Sequence, residues 1–141
     1  MIRTYEYTDF DEVVEMYQDL IKTCYPSHKS GTVSHFKRVV LSWLDNGYDI
    51  FIAEEKGIIK GFSVSFVEPK SVIEAYYRVS LIYVKKKFRM TKISYLLYAN
   101  VLNISMLLEL KLHCNVYLGN SSAKIVSKYA LPCFVEYIGG L

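Results

Sequence analysis

Five cations fall within eight residues of this sequence: Lys85, Lys86, Lys87, Arg89 and Lys92. They follow a run of β-branched and aromatic residues ending at Val84 and precede an apolar run that starts at Ile93. A helix beginning there directs its first unpaired amides, near Thr91, at the spot those side chains surround. Cations and amides converging at a helix start after a strand form a phosphate site, for a nucleotide or a coenzyme. Two other readings use the same residues: a solvated loop that maintains solubility, and binding to a nucleic-acid backbone. A net charge of only +3, with no second basic cluster, disfavours nucleic acid as a partner.

Other chemistry is sparse. Cys24, Cys114 and Cys133 form no C-x-x-C pair, and His28, His35 and His113 stand at no ligand spacing from them, so no metal site is expected. Each cysteine has apolar neighbours, where a thiol packs as a small hydrophobe, and a reducing, cytoplasmic setting is expected. The N-terminus has no apolar targeting segment. The stretch Ile93 to Leu110 is apolar and positively flanked, but Ser94, Asn100, Asn103 and Ser105 interrupt it and Glu109 lies near its end. It reads as a helix inside a globular protein, so no membrane partner is expected.

These groups need a scaffold. With 141 residues, 52% of them apolar, the chain fits a single domain over 1–141 with a substantial core, which excludes intrinsic disorder. Ile2 to Tyr7 alternates as a strand. Thr8 or Asp9, with Glu12 beyond, caps a helix whose stripe includes Val13, Val14, Met16, Tyr17, Leu20, Ile21 and Cys24, closed by Pro26. A second helix starts near Ser34, buries Phe36, Val39, Val40, Trp43 and Leu44, and ends at Asp45-Asn46-Gly47. Tyr48 to Glu54 and Ile58 to Val67 form a hairpin around Glu55-Lys56-Gly57. Glu74 to Val84 is a third antiparallel strand, with Ala75, Tyr77, Val79, Leu81 and Tyr83 alternating against their neighbours. Beyond the basic turn come the apolar helix and a strand from Lys111 to Leu118. The chain then has a short helix capped by Asn120-Ser121-Ser122 and a strand from Phe134 to Ile138. The unit from Tyr76 to Tyr117 has the length of a crossover between parallel strands.

The order β-α-α-β-β-β-α-β-α-β and several local strings resemble the GCN5-related N-acetyltransferase (GNAT) family over nearly the whole chain. The strings are Ile2-Arg3 with Asp9-Phe10, Ile52-Ala53-Glu54 with Ile59-Lys60-Gly61-Phe62, Leu81-Ile82-Tyr83-Val84 running into Phe88-Arg89, and Asn120-x-x-Ala123. The resemblance implies a mixed α/β (α+β) fold, with a mostly antiparallel sheet and helices on both faces. It also implies acetyl-CoA as cofactor and acetyl transfer to a small-molecule or protein amine. The family's turn has the form Arg/Gln-x-x-Gly-x-Gly/Ala and holds the coenzyme A pyrophosphate. Mapped onto this chain, it spans Arg89, Met90, Thr91, Lys92, Ile93 and Ser94, with Tyr83 and Val84 offering backbone amides to the pantetheine arm. Asn120 orders the cleft. The Tyr that protonates the departing thiolate, seven residues beyond that Asn, is here Ser127, with Tyr129 two residues further on.

The departures from the pattern give a second reading. Lys92 and Ser94 take the turn's two small positions and Met90 a common glycine position, which should crowd the loop or change its path. No Asp or Glu lies between Ala75 and Val84 to serve as a base, and Glu54, Glu68 and Glu74 are at strand ends or loops. The family's usual final strand, after Phe134 to Ile138, is missing. A catalytically inactive GNAT-fold protein fits these changes, with thirteen Tyr available for an interface and a protein partner or second copy at the C-terminal sheet edge. Compact chains of this kind are common among bacteriophage products, so the resemblance extends to a virion or host-interaction role, in the host cytoplasm or the virion.

Overall fold

The computed structural model describes residues 1–24, 31–69, 74–89 and 91–114. Strand β1 (Ile2–Thr4) leads through a 3-10 turn, Tyr7–Asp9, into helix α1 (Phe10–Cys24). Helix α2 (Val33–Asp45), strands β2 (Asp49–Glu55), β3 (Ile58–Pro69) and β4 (Ala75–Val84), a second 3-10 turn (Lys86–Phe88), helix α3 (Ile93–Leu107) and strand β5 (Lys111–Cys114) follow. The strands form one sheet in the order β1-β2-β3-β4-β5. All neighbours are antiparallel except β4 and β5, which run parallel with α3 as their crossover. This is the mixed, mostly antiparallel α+β architecture expected from the sequence. The expected helix after Asn120, the strand from Phe134 to Ile138, the missing strand beyond it and the C-terminal sheet edge lie outside the described residues.

Local chemistry explains most boundaries. Lys56 and Gly57 both take positive φ, 53° and 75°, so the hairpin turns on two residues. Thr32 caps α2, accepting from the His35 N–H at 3.3 Å, and α2 buries Phe36, Val40 and Trp43. Helix α3 stops at Leu107, three residues before the expected end, and Glu109 turns the chain at φ 55°. No helix of the described residues is long and apolar enough to cross a membrane.

The start of α1 differs from expectation. Neither Thr8 nor Asp9 simply caps it, because Asp9 lies inside the 3-10 turn and its carboxylate accepts from the Glu6 N–H at 2.8 Å. Asp9 is buried, and both terminal nitrogens of Arg3 donate to it at 2.8 and 2.9 Å. The Arg3 Nε donates to Glu54 at 2.9 Å, so one guanidinium ties β1 and β2 to the entrance of α1. A buried carboxylate needs such a partner. The Arg3 hydrogen bonds hold the Asp9 carboxyl below its usual range.

The sheet has a helix layer on each side. Val13, Val14 and Met16 of α1 and Phe36, Val40 and Trp43 of α2 pack on Ile50, Ile52, Phe62, Val64 and Tyr83. On the other face, Ile93 and Leu97 of α3 meet Ala53 and Val84, while Tyr98 and Val101 cover Tyr77 and Val79. Tyr77, Val79, Leu81 and Tyr83 were expected on one face, yet they divide between the two. The register explains the split: Val79 faces Ser65 and Leu81 faces Val64, so Ser80 is an extra residue on β4. One inserted residue reverses the facing of everything after it.

Gly61 sits opposite Val84, where the sheet meets α3. A Cβ built there would stand 2.4 Å from the Tyr83 carbonyl oxygen and 3.3 Å from Leu97 Cδ1. Relief requires backbone movement, so Gly61→Ala is expected to destabilise by about 2 kcal/mol. Urea unfolding measures this. A loss below about 0.5 kcal/mol would show that the β3–β4 spacing is not limited by this contact.

Candidate functional site

The carboxyl end of β4, the turn after it and the start of α3 meet at one corner of the fold. Lys85 N–H donates to the Lys60 carbonyl at 2.8 Å, and the Gly61–Val84 and Phe62–Tyr83 pairs continue that register. Antiparallel hydrogen bonding alternates, so the Tyr83 backbone is engaged with β3 while the N–H and C=O of Ile82 and Val84 point away from it. The pairing described between β4 and β5 covers Tyr76 to Val79 and runs to Cys114, the last described residue. Val84 therefore turns its N–H and C=O to the side of β4 away from β3, and Tyr83, expected to offer its amide beside it, does not.

Helix α1 holds this corner from the other layer. The Tyr83 hydroxyl donates to Asp19 Oδ2, and Lys85 Nζ pairs with Glu12. Arg89 Nε donates to the Val84 carbonyl at 2.9 Å, and its NH2 group stands 3.7 Å from Asp19 Oδ2. Its guanidinium carbon is 5.7 Å from the centre of the Tyr83 ring. Burial, and then the bond to Asp19, push the Tyr83 phenol up to about 12. Two of the five cations expected around a phosphate, Lys85 and Arg89, are thus drawn to carboxylates of α1. Glu12 was expected only as part of the helix cap, and Asp19 did not stand out in the sequence. Their seven-residue spacing, two helical turns along one side of α1, was the available signal.

Among the described residues of the turn, Arg89 (φ −67°) and Lys92 (φ −70°) are both in the right-handed region. Positive φ occurs at neither Thr91 nor Ser94. At these residues the backbone makes no demand that only glycine meets, so Lys92 and Ser94 at the small positions are tolerated. The Thr91 hydroxyl donates to the Phe88 carbonyl at 2.6 Å and accepts from the Ile93 N–H at 3.4 Å. Ile93 is buried against Ala53, Val84 and Leu97, fixing the helix start beside the end of β4. Lys60 Nζ and Lys87 Nζ lie over the Phe88 ring at 4.7 and 5.1 Å, which keeps positive charge at the turn.

The structure therefore brings Tyr83, Val84, Arg89, Thr91, Lys92, Ile93 and Ser94 to one corner. Met90, Asn120, Ser127 and Tyr129 lie outside the described residues. Among the described residues no group of His, Cys, Asp or Glu is placed to hold a metal ion.

No protein-family model matches the sequence, and no curated protein matches it. Solved structures do match in fold. A possible acetyltransferase from Clostridium difficile 630 superposes with a TM-score of 0.80 at 16% identity, covering 100% of this chain and 96% of that one. A ribosomal-protein-alanine N-acetyltransferase from Brucella melitensis biovar Abortus 2308 gives 0.77 at 16% identity, covering 100% and 98%. A predicted acetyltransferase from Clostridium acetobutylicum, solved with acetyl-CoA, gives 0.76 at 15% identity, covering 100% and 95%. At such identities the likeness is one of fold.

The Tyr83–Asp19 bond makes a prediction about alkaline stability. Because the folded-state pKa is raised, the contribution is fully present below the unfolded value near 10 and is lost as pH rises through about 12. Tyr83→Phe is expected to lower stability by about 1 kcal/mol at pH 8. In denaturant titrations the gap between the two proteins should close over that window. A pH-independent gap would show that the hydroxyl is not what Asp19 holds.

Proposed function

We propose that this chain, which has the fold of the GNAT acetyltransferases, binds acetyl-CoA at the β4–α3 corner and transfers the acetyl group to an amine. The observation that carries this reading is the backbone of Val84. It faces away from β3 and leads directly through a cationic turn to the N-terminus of α3. An arm bearing amides is complementary to a strand edge, and a pyrophosphate is complementary to a helix start with lysines around it. Val84 would hydrogen-bond the arm, while Lys92 and the first-turn amide of Ser94 would hold phosphate oxygens, with Thr91 and Ile93 fixing the turn through their bonds to Phe88 and to each other.

The bound thioester supplies an activated acyl group. Nitrogen of the incoming amine bonds to its carbonyl carbon as the carbon–sulfur bond breaks. The amine's extra proton leaves to a base or to water, and the thiolate takes up a proton. By resemblance, Asn120 would order the cleft and Ser127 or Tyr129 would supply the thiolate's proton. No carboxylate lies on β4, and Glu12 and Asp19 of α1 are engaged with Lys85 and Tyr83, so water is the proton acceptor the described residues favour.

Isothermal titration with acetyl-CoA, together with thiol release in the presence of amines, tests the proposal. Saturable binding that weakens with salt is expected, and Lys92→Glu should weaken it roughly tenfold by opposing the phosphates. The proposal is overturned if wild-type protein shows no binding at millimolar acetyl-CoA.

A further inference from the structure

In the proposed reading Arg89 has a phosphate within its neighbourhood, yet its guanidinium lies on protein groups. Nε is bonded to the Val84 carbonyl at 2.9 Å, and the NH2 group stands 3.7 Å from Asp19. That carbonyl is directed away from β3, and among the described residues no strand pairs with it. The guanidinium occupies the place where another chain's N–H would sit. A ligand that pairs with β4 through an amide at Val84 must compete with it.

We propose that Arg89 is a two-position latch: on Val84 and Asp19 it closes the edge of β4, and on a phosphate of the ligand it leaves that edge to the ligand's amide-bearing arm. The inference rests on the acetyl-CoA reading and adds to it an internal competitor for the arm, with Asp19 as the positioning residue. Asp19 is well suited to this role, because the Tyr83 hydroxyl anchors its carboxylate and the Lys85–Glu12 pair anchors its helix. It cannot follow the guanidinium outward. The Arg89–Asp19 contact is long and half-exposed, with the Asp19 side chain 51% accessible. Such a pair is a weak tie, and a bidentate guanidinium–phosphate pair is stronger, so a phosphate ligand shifts the latch outward. A ligand with the same arm and no phosphate has no means of shifting it. The closed fraction then lowers the apparent affinity of such a ligand in direct proportion.

The test uses two probes, acetyl-CoA and S-acetylpantetheine, titrated calorimetrically into wild type, Arg89→Ala, Asp19→Asn and the double variant. Removing Arg89 is expected to tighten S-acetylpantetheine roughly fivefold, by freeing one hydrogen-bond acceptor, and to weaken acetyl-CoA roughly tenfold. Opposite signs for the two probes are the signature. Asp19→Asn should tighten acetyl-CoA when Arg89 is present and do nothing when Arg89 is absent. If Arg89→Ala fails to fold, as judged by its melting curve, Arg89→Lys replaces it. Lysine keeps the charge but lacks the planar fork that reaches Val84 and Asp19 together, so S-acetylpantetheine should again bind more tightly. Equal or weaker S-acetylpantetheine binding without Arg89, or no measurable binding to either protein, overturns the latch. A wild type that binds no acetyl-CoA overturns the cofactor reading instead, and the S-acetylpantetheine comparison still decides the latch.

Discussion

Ser80 makes β4 one residue longer than the stretch of β3 it pairs with, and the two halves of the strand consequently face opposite layers. Tyr77 and Val79 lie under α3, whereas Leu81 and Tyr83 lie under α1 and α2. Without the insertion Tyr83 would point at α3, and Asp19 would have no phenol to accept from. Beyond the bulge, the N–H and C=O of Val84 point away from β3. A second irregularity acts at the same corner. Ala53 pairs with Gly61 and Glu54 with Ile59, leaving Lys60 as the extra residue of β3. Its ammonium reaches Glu55 at 3.3 Å and the Phe88 ring, so this bulge aims a cation at the turn.

Charge at this corner is arranged for placement more than for stability. Exposed ion pairs contribute about 0–1 kcal/mol each, so Lys85–Glu12 and Arg89–Asp19 add little to a domain's total. Their effect is to fix α1 against the end of β4, with the buried Tyr83 ring between them. Arg3, Asp9 and Glu54 hold the start of the same helix to β1 and β2. Helix α1 is thus fastened at its start and again at Asp19 by side chains that cross to the sheet, and its apolar stripe packs between and around them.

What the sequence made legible follows from periodicity. The hairpin at Lys56-Gly57, the helix stripe containing Val13 and Met16, and the parallel crossover through α3 all have strong local signals, and each is present. The bulge was hidden because alternation runs unbroken through Ser80 in one dimension, and only the register against β3 reveals the added residue. Asp19 was hidden because an acidic residue on an amphipathic helix looks like part of a solvated face, and Glu12 because its spacing from Asp9 suits a helix cap. The backbone of the turn was not readable either: right-handed φ at Arg89 and Lys92 shows that those two positions do not need the conformations of glycine. Of the candidate site, the corner and its cations were readable, while the partners that hold them were not.

The placement of the helix start depends finally on what lies beneath α3. Strand β3 shows Phe62 and Val64 to α1 and α2, and to α3 it shows Gly61, Ser63 and Ser65. Small residues on that face let the apolar helix approach closely. Its Leu97 would already lie within 3.3 Å of a Cβ at Gly61. Two of the hydroxyls there are linked within the sheet: Ser65 donates to the Tyr77 hydroxyl at 2.9 Å, and Tyr77 donates to Asp49 at 2.7 Å. The chain of bonds spans β3, β4 and β2, so the hydroxyls of Ser65 and Tyr77 make no demand on the apolar side chains above them. Close seating of α3 then carries Ile93 down against Val84, and the first-turn amides arrive beside the edge of β4. The seating of the first turn of α3 beside the end of β4 is therefore a consequence of the size of three residues on the neighbouring strand.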